Sequence, residues 1–136
     1  MNTSAIDNVN RLLEKDEFSR WLGIELLEVK DGYCKIQFEL RPEMQNGFGI
    51  AHGGVIFSAS DTAFAIASNT YGELSVALDV SISFLRPGII GKKVLIEAKE
   101  IHRGKTTALY DITSYNEENK VVAVFKGTVF NTKKTF

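Results

Sequence analysis

One ionisable side chain, Asp61, interrupts the run of small and apolar residues from Gly54 to Thr70. A carboxylate buried there without partners would protonate, or it stands where something uses it. Flanked by Ser60 and Thr62, Asp61 fits equally a polar strip that faces solvent or bonds to a hydroxyl such as Ser58. Directly before the run stands Asn46-Gly47-Phe48-Gly49-Ile50-Ala51-His52-Gly53-Gly54. Gly53 and Gly54 let another group approach the backbone closely, and the first amides of a helix lack internal acceptors at its positive end. Such a place can hold a negative oxygen; a glycine-rich turn that only reverses the chain is the other reading. A dinucleotide-binding fingerprint is excluded, because His52 stands where the third glycine belongs and no parallel βαβ unit surrounds the loop.

Distance limits how these groups act together. Asp61 lies eight residues beyond Gly53, roughly 12 Å along one helix at about 1.5 Å per residue. One reacting carbonyl cannot touch both. If both act on the same atom, the donor comes from one subunit and the carboxylate from another, which puts the site at a dimer interface. Antiparallel pairing of two such helices gives two equivalent sites about a twofold axis.

Periodicity supplies the elements that must hold this arrangement. Ser4 followed by Asp7 has the form of a capping box, and Ile6, Val9 and Leu13 recur on one face of a short N-terminal helix. Phe18, Trp21 and Leu22 extend the apolar surface to Gly23, a residue suited to ending a helix. Cys34, Ile36, Phe38 and Leu40 alternate with Lys35, Gln37 and Glu39, the pattern of a strand with one wet face that Arg41-Pro42 ends. The length and alanine content of 54–70 favour a helix covered on most sides. Four further strands are predicted, at about 75–85, 93–102, 106–115 and 120–131, with connections short enough to imply antiparallel hairpins between successive strands. The economical α+β arrangement is a curved antiparallel sheet wrapped around the long helix.

With 136 residues, 44% hydrophobic and 24% charged, the chain suits one globular domain, 1–136, and carries no linker or repeat. Sixteen Lys plus Arg against seventeen Asp plus Glu leave a net charge of −1, so no global field draws it to nucleic acid or an anionic membrane. The N-terminus lacks a basic start and apolar stretch, and no later segment is long enough to span a bilayer. The single cysteine, Cys34, forms no intramolecular disulfide, and two histidines fifty residues apart with one thiol make a poor zinc set. A reducing, cytoplasmic setting without a metal is expected.

Asn46-Gly47, His52-Gly53-Gly54, Asp61-Thr62-Ala63-Phe64-Ala65, Phe84-Leu85-Arg86-Pro87-Gly88 with Gly91, and Arg103-Gly104-Lys105 together resemble the hotdog-fold acyl-CoA thioesterases, in particular their phenylacetic-acid-pathway (PaaI-like) subgroup. The resemblance covers about residues 5–130 and rests on the order and spacing of motifs that are individually undiagnostic. It implies two protomers pairing their sheets, dimers pairing into a homotetramer, and no cofactor beyond the coenzyme A of the substrate. Asp61 then corresponds to the carboxylate that attacks the thioester or activates water, Gly53 to the backbone donor that polarises its carbonyl, and His52 and Asn46 to accessory polar groups. One departure stands out: Ala77 occupies the place of a water-orienting serine in human-type members, with Asp79, Ser81 and Ser83 as nearby substitutes.

The chemistry suits those residues. Thioester hydrolysis builds negative charge on the carbonyl oxygen, where a preorganised donor contributes a few kcal/mol. Asp61 acts as a base towards water or forms an anhydride; the sequence does not choose. His52 equally serves as a hydrogen-bonding residue at the helix terminus, and Asn46-Gly47 equally forms a turn. For the coenzyme A phosphates the candidates are Arg86, Arg103 and Lys105, each of which also suits a solvated surface. For the acyl group they are Phe57, Phe64 and Ile50, whose types serve a core as well. Two competing activities remain: 2-enoyl thioester hydration or dehydration on the same fold, and acyl-CoA sensing without turnover. The separation of His52 from Asp61 disfavours the first within one subunit. The second lacks a DNA-binding segment, since the 20 or so residues before Gly23 are too short for a helix-turn-helix.

Overall fold

The computed structural model describes residues 4–136; Met1 to Thr3, part of the N-terminus read above as lacking a basic start, lie outside the described residues. Helix α1 spans Ala5–Glu14, and its Ser4 cap accepts a hydrogen bond from the Asp7 N–H at 3.3 Å. A second helix, α2 (Glu17–Leu22), restarts on the side chain of Asp16 and stops at Gly23, whose φ of 80° only glycine adopts cheaply. Strands β1 (Glu25–Lys30) and β2 (Tyr33–Glu39) follow, then the long helix α3 (Gly53–Ser68). Four more strands complete the chain: β3 (Glu73–Phe84), β4 (Lys93–Arg103), β5 (Thr107–Tyr115) and β6 (Val121–Thr135).

All six strands form one antiparallel sheet in the order β1-β2-β4-β5-β6-β3. The sheet curves around α3, which touches β2, β3, β4, β5 and β6, so the architecture is the hotdog. β1 was not among the predicted strands. It lies at an edge with both faces largely open, and Leu26-Leu27 interrupts any period-2 pattern. The expected hairpin through Arg86-Pro87-Gly88 does not form. β3 lies at the far edge beside β6, whereas β4 sits between β2 and β5. The intervening segment crosses between them. Leu85 and Arg86 donate to Val122 O, Gly88 O accepts from Ala51 N–H, and Gly91 donates to Leu40 O. Its backbone partners come from three elements rather than one opposing strand, which sequence spacing cannot reveal.

Along α3, Ala59, Ala63, Ile66 and Ala67 are fully buried. Phe64 packs edge-on to Tyr110 and against Phe125, with ring centroids 5.9 and 5.6 Å away, and lies over Gly127 of β6. A Cβ at Gly127 would come within 2.5 Å of that ring, so the strand gives up a side chain to seat the helix.

Candidate active site

His52 caps α3: its Nδ1 accepts the Gly54 N–H at 2.8 Å while its carbonyl accepts the Val55 N–H at 2.9 Å. In the neutral ring Nδ1 is thereby the acceptor and Nε2 the donor. Gly53, at the first helical position, finds no acceptor for its N–H among the described residues. The preceding loop is pinned by Asn46, whose Oδ1 accepts from the Phe48 and Ile50 N–H groups at 2.9 and 3.4 Å. Two backbone donors on one oxygen fix the orientation of that amide, leaving its NH2 as the group Asn46 can offer outward.

Gly53 and Asn46 line one cleft of about 440 Å³, together with Ile50, Ala51, Ile56, Val122 and residues 84–88. Phe84 leans over Gly53, where a Cβ would meet the ring at 3.3 Å. Gly88 is held closer still: a Cβ there would meet Leu40 at 2.9 Å and Ala51 at 3.0 Å. The crossing segment thus closes against the helix start because two glycines remove the obstructing carbons. Sequence reasoning missed Phe84, Leu85, Pro87 and Val122 as cleft residues; the pair Gly88 and Gly91 after a proline was the available signal of a close approach.

Asp61 is not in this cleft. It lies on the open stripe of α3 with Gly54, and it accepts no hydrogen bond among the described residues. Ser58, its suggested hydroxyl partner, donates to Gly54 O at 2.7 Å instead. The side chain is exposed in the single chain, yet the protein mass around it, and secondarily the charge of Asp16, push its pKa above the usual carboxylate value. Of these two measures the open surface describes the access of a ligand, and the raised pKa describes how costly the charge is.

The remaining predicted residues separate. Ile50 and Arg86 border the cleft, and Arg86 also donates to Val121 O at 2.8 Å. Phe64 is buried in the core, and half-buried Phe57 packs on Phe125 at 5.4 Å; neither lines the cleft. Arg103, the last residue of β4, lies 3.8 Å above the Tyr71 ring, and Lys105 stands in the β4–β5 connection; neither lines the cleft. The register corrects one expectation. Ala77 stands opposite buried Val129, on the helix side of the sheet. A bulge at Leu78 follows, and Asp79, Ser81 and Ser83 stand opposite Thr128, Lys126 and Val124 on the outer face. Those three therefore cannot replace a serine at position 77 within the same chain. No group of three or more His, Cys, Asp or Glu among the described residues could hold a metal ion.

A curved sheet closed on one helix, with an amide at the helix start that finds no acceptor among the described residues and lies beside a cleft, defines a hotdog-fold protein. The chain belongs to the Thioesterase superfamily, which matches it over residues 48–123. It is 38% identical to the acyl-coenzyme A thioesterase PaaI of Escherichia coli K12 over 127 residues, covering 93% of this chain and 91% of that one. The structure of the E. coli PaaI protein superposes with a TM-score of 0.94 at 37% identity, covering 96% and 95% of the two chains. A Streptococcus mutans protein crystallised with acetyl CoA superposes with a TM-score of 0.80 at 31% identity, over 83% and 91%.

Proposed function

We propose that this protein is an acyl-CoA thioesterase, hydrolysing small to medium acyl-CoA thioesters, aryl-acetyl groups among them, to free acid and coenzyme A at sites shared between two subunits. The observation that carries this reading is the division of α3: Gly53 offers its amide to the cleft, while Asp61 stands eight residues along on the open stripe. Binding of acetyl CoA by the Streptococcus mutans relative supports coenzyme A as the carrier. In the proposed reaction the Gly53 N–H and the Asn46 NH2 stabilise the thioester oxygen. The partner's carboxylate, equivalent to Asp61, attacks or deprotonates water. Arg86 meets a phosphate of coenzyme A at the mouth, and Ile50 contacts the acyl group.

Two features support the dimer. β3 is a twelve-residue edge strand carrying the exposed side chains Val76, Leu78 and Phe84, an arrangement that invites pairing. A twofold axis along that edge sets two α3 helices antiparallel, with the stripe bearing Gly54, Ser58 and Asp61 facing its copy. Further exposed apolar residues away from β3, Phe18, Trp21 and Leu27, support dimers pairing into a tetramer. The cytoplasm is the proposed setting, in keeping with a lone buried thiol, Cys34, whose pKa burial pushes up to about 12. No helix among the described residues is long and apolar enough to cross a membrane. Coenzyme A enters as part of the substrate, and the proposed reaction uses no other cofactor.

A panel of acyl-CoA substrates with free-thiol detection tests the reaction and its preference together. Crotonyl-CoA separates the competitor: loss of the double bond without thiol release would identify a hydratase. The engagement of His52 Nδ1 by Gly54 argues for thiol release, since that nitrogen is occupied. A stable complex with intact acyl-CoA and no thiol over hours would identify a sensor.

A further inference from the structure

Thr62, the residue after Asp61, is buried at the contact of α3 with α2. Its Oγ1 lies 2.8 Å from Ser19 Oγ, and Ser19 Oγ donates to Asp16 Oδ2 at 2.6 Å. Each hydroxyl has one proton. Because the Ser19 proton goes to the carboxylate, Thr62 is the donor of its pair, and the chain runs in one direction from Thr62 through Ser19 to Asp16. Helical threonines commonly satisfy themselves on a carbonyl four residues back; Thr62 instead reaches across to another helix. Ser19 and Thr62 are only 3% and 7% exposed, so two hydroxyls are kept where apolar side chains would pack.

We propose that Asp16 is a positioning residue for Asp61: through Ser19 and Thr62 it anchors the turn of α3 that carries the catalytic carboxylate, and it adds a second negative charge near that turn. The inference rests on the hydrolytic reading of Asp61. The upward push of Asp16 on the Asp61 pKa agrees with it. Other charges are turned away. Arg20, the cation of α2, donates to Glu17 Oε1 and Glu14 O, each at 2.9 Å. Asp61 is the only charged residue of α3, and no Asp, Glu, Lys, Arg or His side chain is buried among the described residues. Asp79 of β3 and His52 are exposed; on the helix side of the sheet Cys34 and Tyr110 are held protonated by burial, and Glu100, opposite Tyr110, is engaged by the Tyr71 and Tyr110 hydroxyls at 3.0 and 3.1 Å.

Asp16→Asn tests the idea, since asparagine caps α2 as well as aspartate does while removing the charge. The acid limb of kcat/KM and the Asp61 carboxyl titration, followed by carbon NMR, should both move to lower pH by about half a unit. Asp16→Glu should move them back. Thr62→Val, which breaks the chain at nearly constant shape, should lower kcat about tenfold while KM stays within about twofold. Superimposable titrations in Asp16→Asn, or an unchanged kcat in Thr62→Val, overturn the proposal even when Asp61→Asn is inactive. Undiminished turnover in Asp61→Asn instead overturns the hydrolytic reading, and this inference with it.

Discussion

The two ends of α3 are built on opposite rules. At its C-terminal end the carbonyls of Ala65, Ile66 and Ala67 and the side chains around them meet specific partners. Asn69 Nδ2 donates to Ala65 O at 2.8 Å, Asn69 Oδ1 accepts from the Ser75 N–H at 2.8 Å, and Asn8 Nδ2 donates to Thr70 O at 2.7 Å. Thr70 Oγ1 alone donates to Ala67 O at 3.0 Å and accepts from the buried Gly32 N–H at 2.8 Å. At the N-terminal end His52 satisfies the amides of Gly54 and Val55, and the amide of Gly53 is left beside a cleft. These bonds anchor the helix against the loops around it, whereas the Gly53 amide at the other end is the group that the proposed reaction assigns to an incoming oxygen. In that reading the same backbone chemistry serves stability in one place and recognition in the other.

Breaking this contrast should produce effects of very different kinds. The largest is expected from Asp61→Asn, which removes a reacting charge at constant shape: turnover falls about a thousandfold or more, with folding and assembly retained by size-exclusion and circular dichroism. In the wild type, kcat/KM should fall as pH drops through the Asp61 pKa, and the limb should lie above the ordinary carboxylate range because burial raises that pKa. Next comes Gly53→Pro. Proline is tolerated at the first helical position, and the preceding His52 is extended at φ −62°, ψ 133°, as a residue before proline must be. The helix remains, the Phe84 ring, 3.3 Å from the added Cβ, must shift slightly, and the donor is deleted, so kcat should fall about 10²- to 10³-fold in a thiol-release assay. Mixing the two inactive proteins sharpens the test. Random subunit exchange gives hybrids with one intact shared site each, and about a quarter of wild-type activity should return. No recovery after mass spectrometry confirms exchange would refute the shared site.

At the saturated end the effect moves from rate to stability. Thr70→Val strands the Gly32 N–H and should lower unfolding free energy by about 1–3 kcal/mol, measured in urea, with kcat within about twofold of wild type. The smallest effect is expected for His52→Ala, which loses one cap at about 1 kcal/mol. Recovery of that loss by His52→Asn, without recovery of rate, would show that Nε2 acts in the reaction as well.

Much of this arrangement could be read from the chain. The apolar run bearing Asp61, the glycine pair before it and the alternation of Cys34 to Leu40 depend on local periodicity, which sequence displays directly. What stayed hidden is non-local. β1 shows no alternation because an edge strand with two wet faces has no reason to alternate. The position of β3 beside β6 depends on a crossing segment whose partners lie some forty residues away in either direction. Phe64 and Ile50 look alike as acyl contacts in sequence, yet one fills the core and the other lines the cleft. Which face Asp79, Ser81 and Ser83 occupy was settled by the bulge at Leu78, a single extra residue that no pattern announces.

The socket at Gly127 has a consequence for aim. An α-helix that slips by one residue turns by about 100°, which would swing Asp61 from the open stripe into the sheet. The Phe64 ring, three positions further on and wedged over a strand that lacks a side chain, blocks that turn. A missing methyl group on the floor of the sheet thereby governs the direction in which an acid nearly one helical turn away can point.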